Sequence, residues 1–401
     1  MAVKIHRDPK KIALIGVPSS AGSHGPGAER APVALRAAGL QSRLEALGFE
    51  VVDHGDTPSF LYQPDEEHPR ARNTAAVVEA MSALRAKVEV AVKSGALLLI
   101  LGGDCAITPG TVAGLRRYFR EVGVFWMDRD ADLNTPTTTP SGCVHGMTVA
   151  HLTGRGAAEI VRFSADMPMV REPNLALFGL ERLDPPEEQF LASAPLRAYH
   201  AVDIVRRGPA ATAREAIERI HGAHIPFLLH YDVDVISSPD FTACGFPAEG
   251  SLLASHVRDA LEEVVAAPQL LAIELCEYFP ERDAEGSAAR FLVELFAEVL
   301  AGRLRALTQP PAEKEAPAEP TAQAHAAAPS PEAPTPAAAV PESAPSVAGS
   351  PESAPAAAPE SATAEVSPVA DPAEAPRSPE PADSEAVGTP SGDSTSTSAG
   401  K

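Results

Sequence analysis

Aspartates recur at alternate positions twice in this chain: Asp128, Asp130 and Asp132 in DRDADLN, then Asp232 and Asp234 in DVD. Each set follows an apolar run, 122–127 (VGVFWM) and 227–231 (FLLHY). Successive side chains of an extended chain point to opposite faces, so an alternating set projects to one side. Five carboxylates gathered in a partly buried crevice repel one another, and either some hold protons or a cation lies among them. Hard divalent cations with oxygen ligands are the natural partners. One Asp-x-Asp pair alone is more often a cap, a turn or a solvated edge. Here two sets close apolar runs, and a third polar cluster, GGDC at 102–105, closes another and adds Cys105. Together they favour a shared site over three unrelated turns. Glu277 closes a fourth apolar run within ELCEYF, and His145 lies in VHGM.

The elements that must position these groups are legible as a pattern. Apolar runs at 11–17, 97–101, 122–127, 175–178, 227–231 and 270–274 predict buried strands. Amphipathic stretches at 31–47, 73–93, 210–221, 255–266 and 288–307 predict helices between them. Apolar strands separated by helices form a parallel sheet covered on both faces. The expected fold is therefore α/β, a three-layer α/β/α arrangement around a central, mostly parallel sheet, as one domain over 1–308. In such sheets ligands bind beyond the carboxyl ends of the strands, where distant clusters meet in one crevice.

Composition divides the chain. It has 401 residues, with 54 acidic and 33 basic side chains and a formal charge of −21. Residues 309–401 contain no Leu, Ile, Met, Phe, Tyr or Trp, yet hold 19 of the 40 prolines and about half of the excess negative charge. A segment with no large apolar side chains cannot offset the entropy of ordering itself, so 309–401 is expected to be a disordered Pro/Ala/Glu/Ser-rich acidic tail. Its PESAP repeats at 341–345 and 351–355 read as a semi-extended spacer. The acidic balance argues against nucleic-acid and anionic-membrane partners, which need basic patches. No run reaches the roughly 18 apolar residues of a membrane span. The apolar stretch after the basic N-terminus is too short for a signal-peptide core. Four cysteines without a CxxC fit neither a disulfide scaffold nor a zinc knuckle, and point to a reducing cytoplasm. Cys143, Cys244 and Cys276 read as structural.

The polar clusters also carry a family resemblance. DRDADLNTPTTTPSGCVHGM (128–147) resembles the arginase stretch DAHxDxNTPxTTxSGNxHG, GGDC resembles GGDH, and HYDVDVISSP (230–239) resembles SFDVDxxDP. GLERLDPPE (179–187), ELCEYFPERD (274–283) and the glycine-rich opening IGVPSSAGSHGPG are similar to further segments of that family, in the same order. The chain thus resembles the arginase branch of the ureohydrolases over about 11–305. The resemblance implies a divalent-metal site, two manganese ions, held by Asp128, Asp132, Asp232 and Asp234. It implies His145 as a proton shuttle and Glu277 as the carboxylate that receives a guanidinium. Asn134, Ser141 and Asp184 match residues that hold the amino-acid end of arginine. The implied reaction is metal-assisted hydrolysis of a small guanidino substrate to urea and an amine, in a homo-oligomer, trimer or hexamer.

Departures from the pattern matter as much. Cys105 and Asp130 stand where the family has its two metal-binding histidines. Cys143 replaces an Asn, Phe279 replaces the Asn before Pro280, Ser237 and Ser238 replace the Asp of DP, and Arg129 replaces a small Ala. Cys and Asp still coordinate metal, so six ligand positions remain filled, but the added anionic donors weaken the pull on a bound water. A thiolate suits zinc or ferrous iron better than manganese. If strand alternation holds, Arg129 points away from Asp128 and Asp130; turned inward by the loop, it would substitute for a missing cation. Loss of both imidazoles also leaves open a non-catalytic protein of the same fold, acting as a binding or regulatory partner.

Overall fold

Every apolar run that predicts a strand forms one in the computed structural model, which describes residues 5–220 and 225–308. These strands are β1 (Lys11–Gly16), β3 (Leu97–Leu101), β4 (Gly123–Met127), β5 (Leu175–Leu180), β7 (Phe227–Asp232) and β8 (Leu270–Cys276). Two more, β2 (Glu50–Asp56) and β6 (Arg197–His200), complete a sheet of order β2-β1-β3-β8-β7-β4-β5-β6. All of its pairings are parallel. Sequence pattern misses β2 and β6 because they are the edges: EVVDHGD and RAYH are largely solvated and carry no apolar run.

Alternation along the central strands feeds two cores. Leu14, Leu99, Phe125, Met127, Leu229 and Tyr231 pack on one face, under helices Ala254–Ala266 and Ser287–Thr308. Ile15, Leu98, Ile100, Val124, Trp126 and Leu228 pack on the other, against helices Thr74–Ala91 and Thr108–Arg116. The three-layer α/β/α arrangement follows directly from this two-faced burial. The expected helix at 31–47 is two, Ala31–Ala37 and Leu40–Ala46, because Gly39 takes φ 88°, a left-handed conformation that ends the first. The acidic tail expected over 309–401 lies outside the described residues. No helix among the described residues is long and apolar enough to cross a membrane.

The strands that matter for chemistry are adjacent. β3, β8, β7 and β4 lie side by side, so the residues just past their carboxyl ends share one edge of the sheet.

Candidate metal centre

Trp126 of β4 pairs with His230 of β7 in the parallel register. Two residues further along each strand, Asp128 and Asp232 therefore rise from the same face, side by side. Local hydrogen bonds aim them. The Asp128 carboxylate accepts from Trp126 Nε1 at 3.0 Å and from the Asp130 amide at 2.7 Å. The Asp232 carboxylate accepts from the Asp234 amide at 2.8 Å and from Cys105 Sγ at 3.2 Å. Glu277, beyond β8, accepts from the Cys105 amide at 3.2 Å and ties that strand end to β3. Asp104 anchors the glycine-rich opening loop, accepting from Ser19 Oγ and the Gly22 amide.

Two groups of donor atoms include the strand-end aspartates, and a third, His230, Glu274 and Cys276, adjoins the first through His230. One potential ligand atom from each of Cys105, Asp128, His230 and Asp232 lies within 4.8 Å of the others; Asp128, Asp130 and Asp234 form a second group with the same spacing. Asp128 belongs to both. The enclosed space among the carboxylates is about 20 Å³ and is bordered also by Asp132, His145 and Glu277, room for a water-sized occupant. Burial, then mutual repulsion with neighbouring carboxylates, holds Asp128 and Asp232 well above the usual carboxylate range. Burial raises Asp132 as well, and burial followed by Asp130 takes Asp234 up to about 6. Asp234 Oδ1 is buried with no hydrogen-bond partner among the described residues. A divalent cation removes both penalties, and a donor set of oxygens with one sulfur and one nitrogen suits it, so these residues fit a metal centre. Burial, together with Cys276 and Asp232, raises the Cys105 thiol, whose Sγ donates to Asp232.

Backbone strain marks the same place. Asp132 (φ 49°) and Glu277 (φ 59°) are non-glycine residues in the left-handed region, a conformation of about 1–3 kcal/mol that persists where surrounding structure over-determines it. The Asp132 carbonyl accepts from the Val149 and Ala150 amides, while its carboxylate borders the pocket without joining either donor group.

Charge is distributed differently from the sequence pattern. Arg129 is buried but directed elsewhere, with Nη1 donating to the Phe246 carbonyl at 3.2 Å and Nε 3.6 Å from Glu181. The cation paired with an aspartate of the pocket is Arg182, which grips Asp130 with both prongs, Nε to Oδ1 at 2.7 Å and Nη2 to Oδ2, while Arg129 and Arg182 both pull against the rise at Asp234. On the inner side His145 Nδ1 lies 3.0 Å from Glu277 Oε1. Burial works against the charge on His145, but the Glu277 carboxylate outweighs it and raises the imidazolium to about 10. The same partner holds Glu277 below its ordinary range despite burial.

Outside this pocket, and sharing Asp130, Asp132, His145 and Phe246 with it, opens a cleft of about 270 Å³. Asn134, Ser141 and Asp184 line it. Asn134 Nδ2 donates to Asp184 Oδ2 at 2.7 Å, Thr138 Oγ1 donates to Asn134 Oδ1 at 2.9 Å, and Ser141 Oγ accepts from the Cys143 amide at 3.2 Å. Asp184 also sits at the N-cap of helix Pro185–Leu191, its amide donating to Glu187 Oε2. His24 meets the rings of His145 and Phe246 edge-on, at 4.9 and 5.0 Å, and forms the rim. All eleven residues singled out from the sequence thus border the pocket or the cleft. Sequence reasoning missed Arg182, Glu187, His24 and His230. Only His230 carried a signal, two positions before Asp232 in an alternating strand.

Comparison with known proteins agrees with this geometry. A family model described as the arginase family matches residues 10–302. The chain is 32% identical over 301 residues to an arginase of Bacillus caldovelox, covering 74% of this chain and 99% of the relative. It is 30% identical over 295 residues to an arginase of Brevibacillus brevis, covering 74% and 99%. The crystal structure of arginase from Bacillus cereus superposes with a TM-score of 0.67 at 30% identity, covering 73% of this chain and 98% of that one.

Proposed function

The chain belongs to the arginase family, and on that premise we propose that it hydrolyses the guanidinium group of L-arginine or a related guanidino amino acid. The overall reaction takes one guanidinium and one water to urea and an ammonium. The observation that carries this reading is the placement of the Glu277–His145 pair, between a pocket of carboxylates and a cleft wide enough for an amino-acid side chain. Asp128, Asp130, Asp132, Asp232, Asp234 and Cys105 are assigned to holding divalent cations, two manganese ions by family pattern, with zinc or iron favoured if Cys105 ligates as thiolate. When bound, the cations would supply a water of lowered pKa and polarise the reacting group.

The chain's own groups do the rest. Glu277 is ionised and buried, so it offers a guanidinium a charge-assisted, water-poor contact. His145 holds a proton on Nδ1 toward Glu277, leaving Nε2 as the atom through which a proton reaches the departing amine. Asn134, Ser141 and Asp184 line the outer cleft where the α-amino and α-carboxylate groups of an amino acid would lie. Arg182 offsets the charge that Asp130 adds to the site.

Purified protein loaded in turn with manganese, cobalt, zinc and ferrous iron should release urea from arginine, and much less from agmatine, which lacks the carboxylate. A folded protein with full metal content that releases urea from no guanidino compound would overturn the enzymatic reading in favour of a binding role.

A further inference from the structure

His230 has no part in the six-ligand assignment, yet it is buried and held on several sides beside the pocket. It is 0% exposed. Its ring lies flat on Trp126, with centroids 3.6 Å apart and planes inclined by 5°. Nδ1 lies 3.0 Å from Thr108 Oγ1 and 3.3 Å from Glu274 Oε2. Thr108 Oγ1 donates to the Cys105 carbonyl, so its lone pairs, like the carboxylate, call for a proton on Nδ1. Glu274, itself 0% exposed, is held by Thr111 Oγ1. Nε2 then carries a lone pair, and it has no hydrogen-bond partner among the described residues. Packing on Trp126 accounts for the plane of the ring but not for a bare buried nitrogen, which costs about 1–3 kcal/mol if left unpaired.

One ring nitrogen of His230 groups with Cys105, Asp128 and Asp232 within 4.8 Å. Strand alternation puts it there: His230 and Asp232 are two apart on β7, opposite Trp126 on β4 and Glu274 on β8. We infer that His230 is a metal ligand through Nε2, supplying from β7 an imidazole donor to the cation shared by Cys105, Asp128 and Asp232. Glu274 is its positioning residue. A carboxylate on the far nitrogen fixes the tautomer and ring orientation of a metal-bound histidine and raises its basicity. The chain therefore keeps a neutral nitrogen donor although residue 105 is a cysteine. This inference rests on the metal reading given under the proposed function, and concerns only which residues of this chain hold the ion.

The test is X-ray absorption at the cobalt edge, with elemental analysis, on full-length protein stripped by chelation and reloaded with cobalt(II) alone. The parent should show imidazole multiple scattering and sulfur scattering. A variant with His24→Gln and His145→Gln together should retain the imidazole signal, because His230 is intact. His230→Gln should lose it and bind the first ion about tenfold more weakly or worse, and Glu274→Gln should weaken binding by about tenfold with the imidazole retained. Cobalt bound without imidazole scattering, in the parent or the His24/His145 double variant, overturns the role of His230 and leaves the metal reading standing. Failure to bind cobalt at all overturns both. The double variant and the parent decide the matter even if His230→Gln does not fold.

Discussion

Asp130 and Arg182 form a two-pronged ion pair at the mouth of the carboxylate pocket, with Arg182 Nε 2.7 Å from Asp130 Oδ1. The pair joins the loop after β4 to the loop after β5, where a bridge also links the two backbones. With two divalent ions held as proposed, five aspartates would leave one negative charge in excess, which the Arg182 guanidinium beside Asp130 would offset. The pair is half-exposed, so its energetic worth is modest. Its larger effect is on position, because Asp130 is held toward the rim.

Divalent metal should stabilise the fold by binding the native state alone. At a concentration of about 100 times Kd the gain is about 2.7 kcal/mol, or roughly 5 °C in a domain of this size. Thermal unfolding of chelator-treated protein, with and without manganese, cobalt or zinc, measures it. Identical midpoints with every ion would contradict a carboxylate pocket that needs a cation.

Glu277→Gln should lower kcat for arginine by about a hundredfold or more, since it removes the buried charge proposed to face the guanidinium. It should also release His145 from its ion pair, so the imidazolium becomes easier to deprotonate. Steady-state urea release from folded, metal-loaded variant decides this; a change confined to KM would place Glu277 outside the reacting centre.

Cys105→His combined with Asp130→His places neutral donors at both positions proposed as substituted ligands, and should raise manganese content and urea release by about tenfold, a barrier change of about 1.4 kcal/mol. Asp130→His strands Arg182 beside the ions, so adding Arg182→Ala should raise occupancy further. Elemental analysis of the three proteins gives the answer. Unchanged manganese content across the series would mean that residues 105 and 130 do not touch the metal.

His151 is buried, neither ring nitrogen has a partner among the described residues, and burial lowers its pKa to about 3. In the unfolded chain it titrates near 6.5. Between these values the unfolded chain binds a proton that the folded one refuses, so stability is full above about pH 6.5 and falls by about 1.4 kcal/mol per unit as pH drops toward 3. His151→Leu should flatten this part of the profile and stabilise the fold at neutral pH. Denaturant unfolding of parent and variant at about pH 7, 5 and 4 compares the slopes; parallel profiles would refute the assignment.

How much of this was legible beforehand follows burial. Strands buried on both faces announce themselves as unbroken apolar runs, and Asp128 and Asp232 could be placed at their ends. Helix Thr108–Arg116 was not visible, because TPGTVAGLR has two glycines and a proline. Those glycines serve packing: a Cβ at Gly110 would stand 2.7 Å from the Met81 carbonyl, and one at Gly114 2.7 Å from Val88 Cγ1. The Asp130–Arg182 pair joins two loops 52 residues apart and left no local trace. His230 was readable in principle, since alternation from Asp232 puts it on the metal side, but a buried histidine in an apolar strand is easily taken for packing.

The position of β8 sets the order in which the centre comes into being. It is the last strand among the described residues, yet it lies between β3 and β7 in the middle of the sheet. Until it is inserted, Cys105 sits on one half-sheet and Asp128, Asp232 and Asp234 on another, with no ladder between them. Asp128, Asp130 and Asp234 are already neighbours through the β4–β7 ladder, so what β8 adds is Glu277 and the register that brings Cys105 beside Asp232.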